Sequence, residues 1–192
     1  MHIVTQQTTL LNGSGQSSSA LHAEGFTSPE GYPVLTLRRN DGRVIWQRAG
    51  KNLVVKKGRS ALLFWLSGQG VGLGSLSYCS LGKGGVTVND PWTPIAPAPT
   101  DEALVSECPI IGSSPVSGKK AVASAVLDDL INPTQVTLHT SFMASEINEI
   151  VSEAGLWFAD KTTLYARHTF PSAYLRIDQG NLLDVDWVVK FI

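Results

Sequence analysis

Residues 183–192 read Leu183-Asp184-Val185-Asp186-Trp187-Val188-Val189-Lys190-Phe191-Ile192, and this run gives the clearest indication of the fold. Every odd-numbered residue in it is apolar, and successive side chains of a β-strand point to opposite faces of the sheet. The odd-numbered face is therefore expected to lie in a core. Charged side chains dominate the other face, where the apolar exceptions Val188 and Ile192 suit contact with a neighbouring element or subunit.

Alternation of the same kind recurs at residues 121–126, 136–142 and 163–168, and an alternating run at 76–81 is typical of a core strand that enters a loop. Glycine, proline and asparagine separate these runs. Short strands punctuated in this way are typical of an antiparallel β-sandwich or barrel. We therefore predict a mainly β fold of that type.

A tight hairpin is predicted near the start of this domain. Residues 34–39 and 44–48 flank Asn40-Asp41-Gly42-Arg43, in which the Asp-Gly pair supplies the positive-φ residues of a short turn.

One short helix is predicted at residues 59–67, because Gly58 and Gly68 bracket an apolar segment with helical spacing. Its apolar side chains almost encircle the helix, so near-complete burial is expected; they are Ala61, Leu62, Leu63, Phe64, Trp65 and Leu66. Residues 145–153 fit either a helix or a strand.

The remaining segments are predicted loops and an arm. Residues 91–99 contain four prolines, which lack the amide hydrogen a sheet requires, and should form a long, stiffened loop. Residues 8–28 are dominated by Ser, Gly, Thr and Gln and cannot bury enough apolar surface to order alone. We therefore divide the chain into a flexible N-terminal arm, 1–32, and a β-sandwich domain, 33–192. The arm is either ordered by a partner or a tail without a role.

Composition limits the classes of function. Fifteen Lys and Arg residues nearly balance 16 Asp and Glu residues, and this balance of charge argues against a nucleic-acid partner. The basic run at 51–59 either touches nucleic acid or keeps a sheet edge soluble. No apolar run is long enough to span a membrane and no signal peptide is recognisable at the start, so we expect a soluble protein without a membrane partner. Cys79 and Cys108 are predicted to be buried, reduced thiols.

No arrangement of residues points to catalysis. The histidines are scattered, and we expect two of them, His139 and His168, on outward faces of strands; the others are His2 and His22. Gly82-Lys83-Gly84-Gly85 lacks the Ser or Thr and the helix of a phosphate-binding loop, and the glycines at 68–74 lack the flanking strand and helix of a dinucleotide site. Both segments are predicted turns or loops.

Three acidic residues, Glu146, Glu149 and Glu153, would share a helix face, but no His or Asp accompanies them as a metal site requires, so a solvated face is expected. We predict no catalytic, cofactor-binding or metal-binding residue, no cofactor or small-molecule ligand, and no enzyme activity.

Residues 50–192 resemble small virion structural proteins of tailed bacteriophages, such as collar, neck, baseplate and fibre-associated subunits. The residues that carry the resemblance are Tyr78, Gly82-Lys83-Gly84 followed by a Pro/Thr loop, Leu104, Glu107, 136–142, 148–156 with its end Ser152-Glu153-Ala154-Gly155-Leu156, Leu164, 167–171 and the closing Trp187-Val188-Val189-Lys190-Phe191-Ile192. The resemblance implies a subunit of the virion, assembled in the host cytoplasm, whose partners are copies of itself and other virion proteins. The alternative is a carbohydrate- or host-surface-binding module of a phage fibre, with Trp92 or Trp157 stacked on sugar rings.

Overall fold

The computed structural model describes residues 30–70, 72–113 and 117–190. In these ranges the chain is mainly β, as predicted, with one α-helix and one short 3-10 helix, Ile177–Gln179. The elements are β1 (Glu30–Arg38), β2 (Val44–Ala49), β3 (Leu53–Val54), α1 (Lys56–Leu66), β4 (Leu76–Gly82), β5 (Val86–Thr87), β6 (Asp90–Pro94), β7 (Lys119–Ala121), β8 (Ser124–Leu127), β9 (Gln135–Met143), β10 (Ile150–Phe158), β11 (Leu164–Tyr174) and β12 (Leu182–Lys190). Of the predicted arm, residues 1–29 lie outside the described ranges, and β1 begins at Glu30.

Two antiparallel five-stranded sheets enclose one core. The first sheet has the order β2-β1-β12-β9-β8, and the second has the order β3-β11-β10-β4-β7. Strands β5 and β6 form a separate two-stranded sheet. Most buried apolar side chains of both large sheets belong to one cluster, which includes Trp187 of the first sheet and Phe170 of the second. A second, smaller cluster contains Val55, Leu104, Trp157 and Leu164. The predicted sandwich is therefore confirmed.

The closing strand β12 lies at the centre of the first sheet and pairs along its whole length with β1 and β9. The odd-numbered side chains from Leu183 to Val189 are at most 2% exposed, which confirms the predicted core face; Phe191 and Ile192 lie outside the described residues. The opposite face is less exposed than expected, because Asp184 and Val188 are also buried.

The predicted hairpin is confirmed as β1 and β2. Gly42 adopts φ 83°, and its amide donates to the carbonyl of Arg39 over 2.9 Å, which closes the turn. The alternating runs at 76–81, 136–142 and 163–168 lie in β4, β9 and β11. The undecided segment 145–153 is a turn that leads into β10 at Ile150.

The single strand expected at 121–126 is wrong, because the chain changes sheets within it. β7 pairs with β4 of the second sheet, and β8 pairs with β9 of the first. The amide of Val122 donates to Ser77 of the second sheet and that of Ala123 to His139 of the first, both over 2.8 Å. Alternation continues through this crossing, which is why it looked like one strand.

The predicted helix is confirmed, but the prediction that it is almost completely buried is wrong. In α1 only Gly58 and Ala61 are buried. A Cβ at Gly58 would lie 2.3 Å from the carbonyl oxygen of Tyr165, so the helix contacts β11 through its smallest residue. Of the larger apolar side chains, Leu62 packs partly against the core, whereas the four at positions 63–66 are more than half exposed.

The loops agree in part with the predictions. Gly68, Gly72 and Gly74 have positive φ values in a loop between α1 and β4. The stiffened loop at 91–99 is wrong for its first part, because β6 pairs with β5 there. Pro91 and Pro94 are tolerated in β6 because its partner β5 has only two residues, so few amide hydrogens of β6 are needed for the ladder.

Replacing Trp187 with alanine should lower the free energy of unfolding by about 3–5 kcal/mol, because a fully buried aromatic side chain leaves a cavity. Lys190→Ala is the control on the same strand and should change it by less than about 0.5 kcal/mol. Urea unfolding of both variants beside the parent measures the difference. Collapse of Lys190→Ala with parent-like stability of Trp187→Ala would show that the register of β12 is wrong.

Candidate functional site

Three charged residues form a group that we call the ion cluster: Glu153 and Arg167 are buried in the second sheet, and Asp101 is partly buried in a loop beside them. Arg167 donates from Nε to Oε2 of Glu153 over 2.9 Å and from Nη1 to Oδ2 of Asp101 over 2.6 Å. Glu153 is 0% exposed and Arg167 is 3% exposed. Burial opposes the charge of Arg167, but the hydrogen bond to Asp101 and the charge of Glu153 raise its pKa above the usual value.

Glu153 also binds the bend after β4 and the connection between β6 and β7. Its carboxylate accepts hydrogen bonds from the amides of Gly84 and Ser106 over 3.0 Å and from that of Val105 over 3.2 Å. With Arg167, these donors use about four acceptor sites, the capacity of a carboxylate. The carboxylate of Glu153 is therefore satisfied, and it holds both segments against β10.

The glycines of Gly82-Lys83-Gly84-Gly85 serve this close contact. A Cβ at Gly85 would lie 1.9 Å from the carbonyl oxygen of Ser152, and one at Gly84 would lie 2.2 Å from Cβ of Val105. The segment is a bend, as predicted. Glycine is needed because Ser152 of β10 and Val105 of the connection after β6 leave no room for a side chain.

The ion cluster corrects the prediction for the three glutamates. They do not share a helix face: Glu153 is buried, Glu146 pairs with Lys120 over 2.6 Å, and Glu149 pairs with Lys83 over 3.3 Å. The signal missed was the pairing of Glu153 with Arg167, which lie on neighbouring strands.

The ion cluster can be tested by removing its cation. Arg167→Ala leaves the buried Glu153 and the partly buried Asp101 without their cation and should lower the free energy of unfolding by about 3–5 kcal/mol. It should also speed hydrogen exchange at the amides of Val105 and Ser106. Lys57→Ala, which breaks an exposed pair with Glu102, is the control and should cost under about 1 kcal/mol. Equal losses for the two variants would contradict a stabilising role for the cluster.

The two histidines within the described residues differ. His168 is 7% exposed, so its predicted outward position is wrong: the ring stacks on Phe170 and Nδ1 lies 3.0 Å from the carbonyl oxygen of Lys51. Burial lowers the pKa of His168, and the hydrogen bond with Lys51 opposes this only in part. His139 lies half-buried on the outer face of the first sheet. His2 and His22 are outside the described residues.

His139 belongs to a polar row with the connectivity of a Ser-His-Asp triad. Its Nδ1 lies 2.6 Å from Oδ1 of Asp186, and its Nε2 lies 3.1 Å from Oγ of Ser141. Register places Asp186 opposite His139 and Asp184 opposite Ser141, so the row follows from the pairing of β12 with β9.

The hydrogen bonds of this row do not suit nucleophilic catalysis. The hydroxyl of Ser141 donates to Asp184, at 2.5 Å, and Arg38 holds the other oxygen of that carboxylate at 2.9 Å. Because the single proton of Ser141 is directed at Asp184, it is not directed at His139, as a serine nucleophile and its base require. The carboxylate of Asp184 would also repel an oxyanion formed there.

We therefore expect no reaction of Ser141 with a fluorophosphonate probe. Labelling of the parent should not exceed that of Ser141→Ala, measured by intact-protein mass spectrometry. Labelling, or ester hydrolysis, that disappears in both Ser141→Ala and His139→Ala would overturn the prediction that the protein is not an enzyme.

The other candidate residues fall in separate places. Cys79 and Cys108 are buried free thiols, as predicted, and burial raises their pKa values to about 12 and about 11. Trp157 is 3% exposed and donates to Ser80, so it cannot stack on a sugar, whereas Trp92 is 68% exposed. In the basic run, Lys57 pairs with Glu102.

The most unusual surface of the described domain lies on α1. Its side chains Leu63, Phe64, Trp65 and Leu66 are between 52% and 65% exposed, and we call these four residues the helix face. Beside it lies an apolar groove of about 340 Å³ between the two sheets, which Leu62 and Trp65 of α1 line on one side and Ala125 of β8 on another.

Two further findings concern the described residues only. No group of three or more His, Cys, Asp or Glu side chains within them is placed to hold a metal ion. None of their helices is long and apolar enough to cross a membrane.

The chain matches no protein-family model. Searches of curated proteins and of solved structures also found no match.

Proposed function

We propose that this protein is a structural subunit of a tailed-phage virion that acts by binding copies of itself and neighbouring virion proteins. The observation that carries the proposal is the helix face. Four consecutive large apolar side chains stand more than half exposed on a helix that the fold holds by Gly58 and Ala61. Contiguous apolar patches on a soluble domain mark interaction surfaces.

The position of the residues that carry the resemblance supports the same proposal. The amide of Gly84 donates to Glu153, which pairs with Arg167 in the ion cluster. Next to it, Glu107 forms an isolated antiparallel β-bridge with Gly82. Leu104 and Leu164 pack with Trp157, and Tyr78 lies against them. These residues therefore build one structural unit, as expected of a pattern that preserves a fold rather than an active site.

A host-surface-binding module is the second candidate, favoured by the exposure of Trp92. This side chain stands on the β5–β6 hairpin, where the carboxylate of Asp90 accepts from the Trp92 amide over 2.9 Å. An exposed indole on a rigid hairpin is suited to stacking on a sugar ring. This second candidate rests on one exposed side chain, whereas the proposal of a structural subunit rests on the four exposed side chains of the helix face.

The proposal is tested by the oligomeric state. The parent should form oligomers in multi-angle light scattering, and the double variant Leu63→Ser with Phe64→Ser should associate at least about tenfold more weakly because it removes two apolar contacts. Val88→Ser changes a fully exposed apolar residue in the turn between β5 and β6, and should associate like the parent. Both variants should melt like the parent.

Immunogold electron microscopy of phage particles with an antibody to this chain should place it on the virion. A monomeric parent that binds glycans and loses them in Trp92→Ala would overturn the proposal in favour of a binding module.

A further inference from the structure

The apolar groove is an opening into the sandwich rather than a surface depression. Leu138 and Val189 of the first sheet line it from one side, and Leu76 and Phe158 of the second sheet line it from the other. These side chains otherwise belong to, or pack against, the main core. An occupant would therefore complete the core at this end of the sandwich.

One buried polar group in the groove has no partner. Tyr165 lines the groove and is 1% exposed, yet its hydroxyl makes no hydrogen bond with the described residues. Burial raises its pKa to about 12, so it is a neutral donor. A buried hydroxyl without a partner costs roughly 1–3 kcal/mol, and an occupant with a carbonyl oxygen would recover that loss.

The groove also adjoins an open sheet edge. β8 ends the order of the first sheet and pairs only with β9 among the described strands. All four of its residues are exposed, including the apolar Val126 and Leu127. An open edge with apolar side chains beside a groove is the arrangement that binds an added strand.

The chain itself supplies a segment of fitting length and position. Glu30, where β1 begins, pairs with Lys190, and the next row of the register joins Gly31, Val189, Val136 and Leu127 across the first sheet. Glu30, to which segment 1–29 is joined, therefore lies in the row next to the groove. The distance from β1 to β8 is three strand spacings, about 14 Å. Fully extended, it could reach roughly 90 Å.

The composition of that segment also fits. Residues 3–11 read Ile3-Val4-Thr5-Gln6-Gln7-Thr8-Thr9-Leu10-Leu11, rich in β-branched residues, uncharged, and apolar at both ends. Such a sequence suits an added strand that places apolar side chains in a groove.

We propose that the apolar groove and the β8 edge bind residues 3–11 of a neighbouring copy of this chain. The segment adds a strand to β8, its apolar side chains enter the groove, and one of its carbonyl oxygens accepts from Tyr165. This inference rests on the proposed function, since it names the contact by which copies associate. If the segment bound the groove of its own domain, it would not connect two copies of the chain.

Mixed cross-linking tests the contact directly. Full-length Ala125→Cys chain labelled with ¹⁵N is mixed with unlabelled full-length Val4→Cys chain and oxidised, and mass spectrometry counts disulfides between labelled and unlabelled chains. We expect a 125-to-4 cross-link several-fold above a control in which Asp41→Cys, in the exposed β1–β2 turn at the other end of the first sheet, replaces Ala125→Cys. A yield no higher than the control overturns the proposal. So does a chain carrying both cysteines that cross-links only within itself.

Tyr165→Phe supplies a second measurement that does not depend on a new cysteine. Loss of the hydroxyl should reduce the mixed cross-link several-fold without lowering the melting temperature of the dilute monomer, because the hydroxyl makes no hydrogen bond with the described residues. An unchanged cross-link yield would show that the occupant does not bind Tyr165.

Light scattering separates this inference from the proposed function. Full-length chain with Ile3→Asp and Leu10→Asp should lose association that the parent has. Oligomers that persist in this variant but dissociate in the helix-face variant would overturn the groove contact and leave the proposed function standing. A monomeric parent would overturn both.

Discussion

The buried carboxylate of Glu153 is the constraint on which the second sheet depends. An unpaired charge in a protein interior costs several kcal/mol, so Glu153 is tolerated only when its partners are in place. Those partners come from three parts of the chain: the bend at Gly84, the amides of Val105 and Ser106, and Arg167 on the neighbouring strand. One side chain thereby fixes the path of the long connection between β6 and β7.

Alternation predicted the strands well because it is a local property. The core face of β12 and the β1–β2 hairpin follow from side-chain periodicity and from Gly42, and neither requires knowledge of distant residues. The same rule could not detect the crossing at Val122 and Ala123, where the periodicity persists while the hydrogen-bond partners change sheets.

The burial of polar residues was harder to predict, since it depends on distant partners. Glu153 was placed in solvent because Asp101 and Arg167 are remote in sequence, and His168 because nothing local reveals Lys51 and Phe170 around it. On α1 the apolar count suggested burial, whereas the contact with Tyr165 needs the smallest residue, Gly58. The polar row of His139 could not be predicted from the sequence either, because it depends on the register between β9 and β12.

The helix face sets a limit on the strength of any single contact. Fully burying a large apolar side chain is worth about 1.5–3 kcal/mol, and these four are already about half covered, so together they offer roughly 3–6 kcal/mol. Association costs at least about 4 kcal/mol in lost translational and rotational freedom. Contacts through α1 alone are therefore weak between two subunits, and become strong when each subunit makes several at once.

The adjacency of Glu30 and Lys190 has a mechanical consequence. A force that pulls these two points apart loads the hydrogen bonds between β1 and β12 one after another, from the end inward, so the strands would peel at low force. A force applied between Glu30 and the far end of β12, near Leu182, loads the whole ladder in shear, and all its bonds must break together. The domain is consequently a directional element, compliant along one line of pull and stiff along the other.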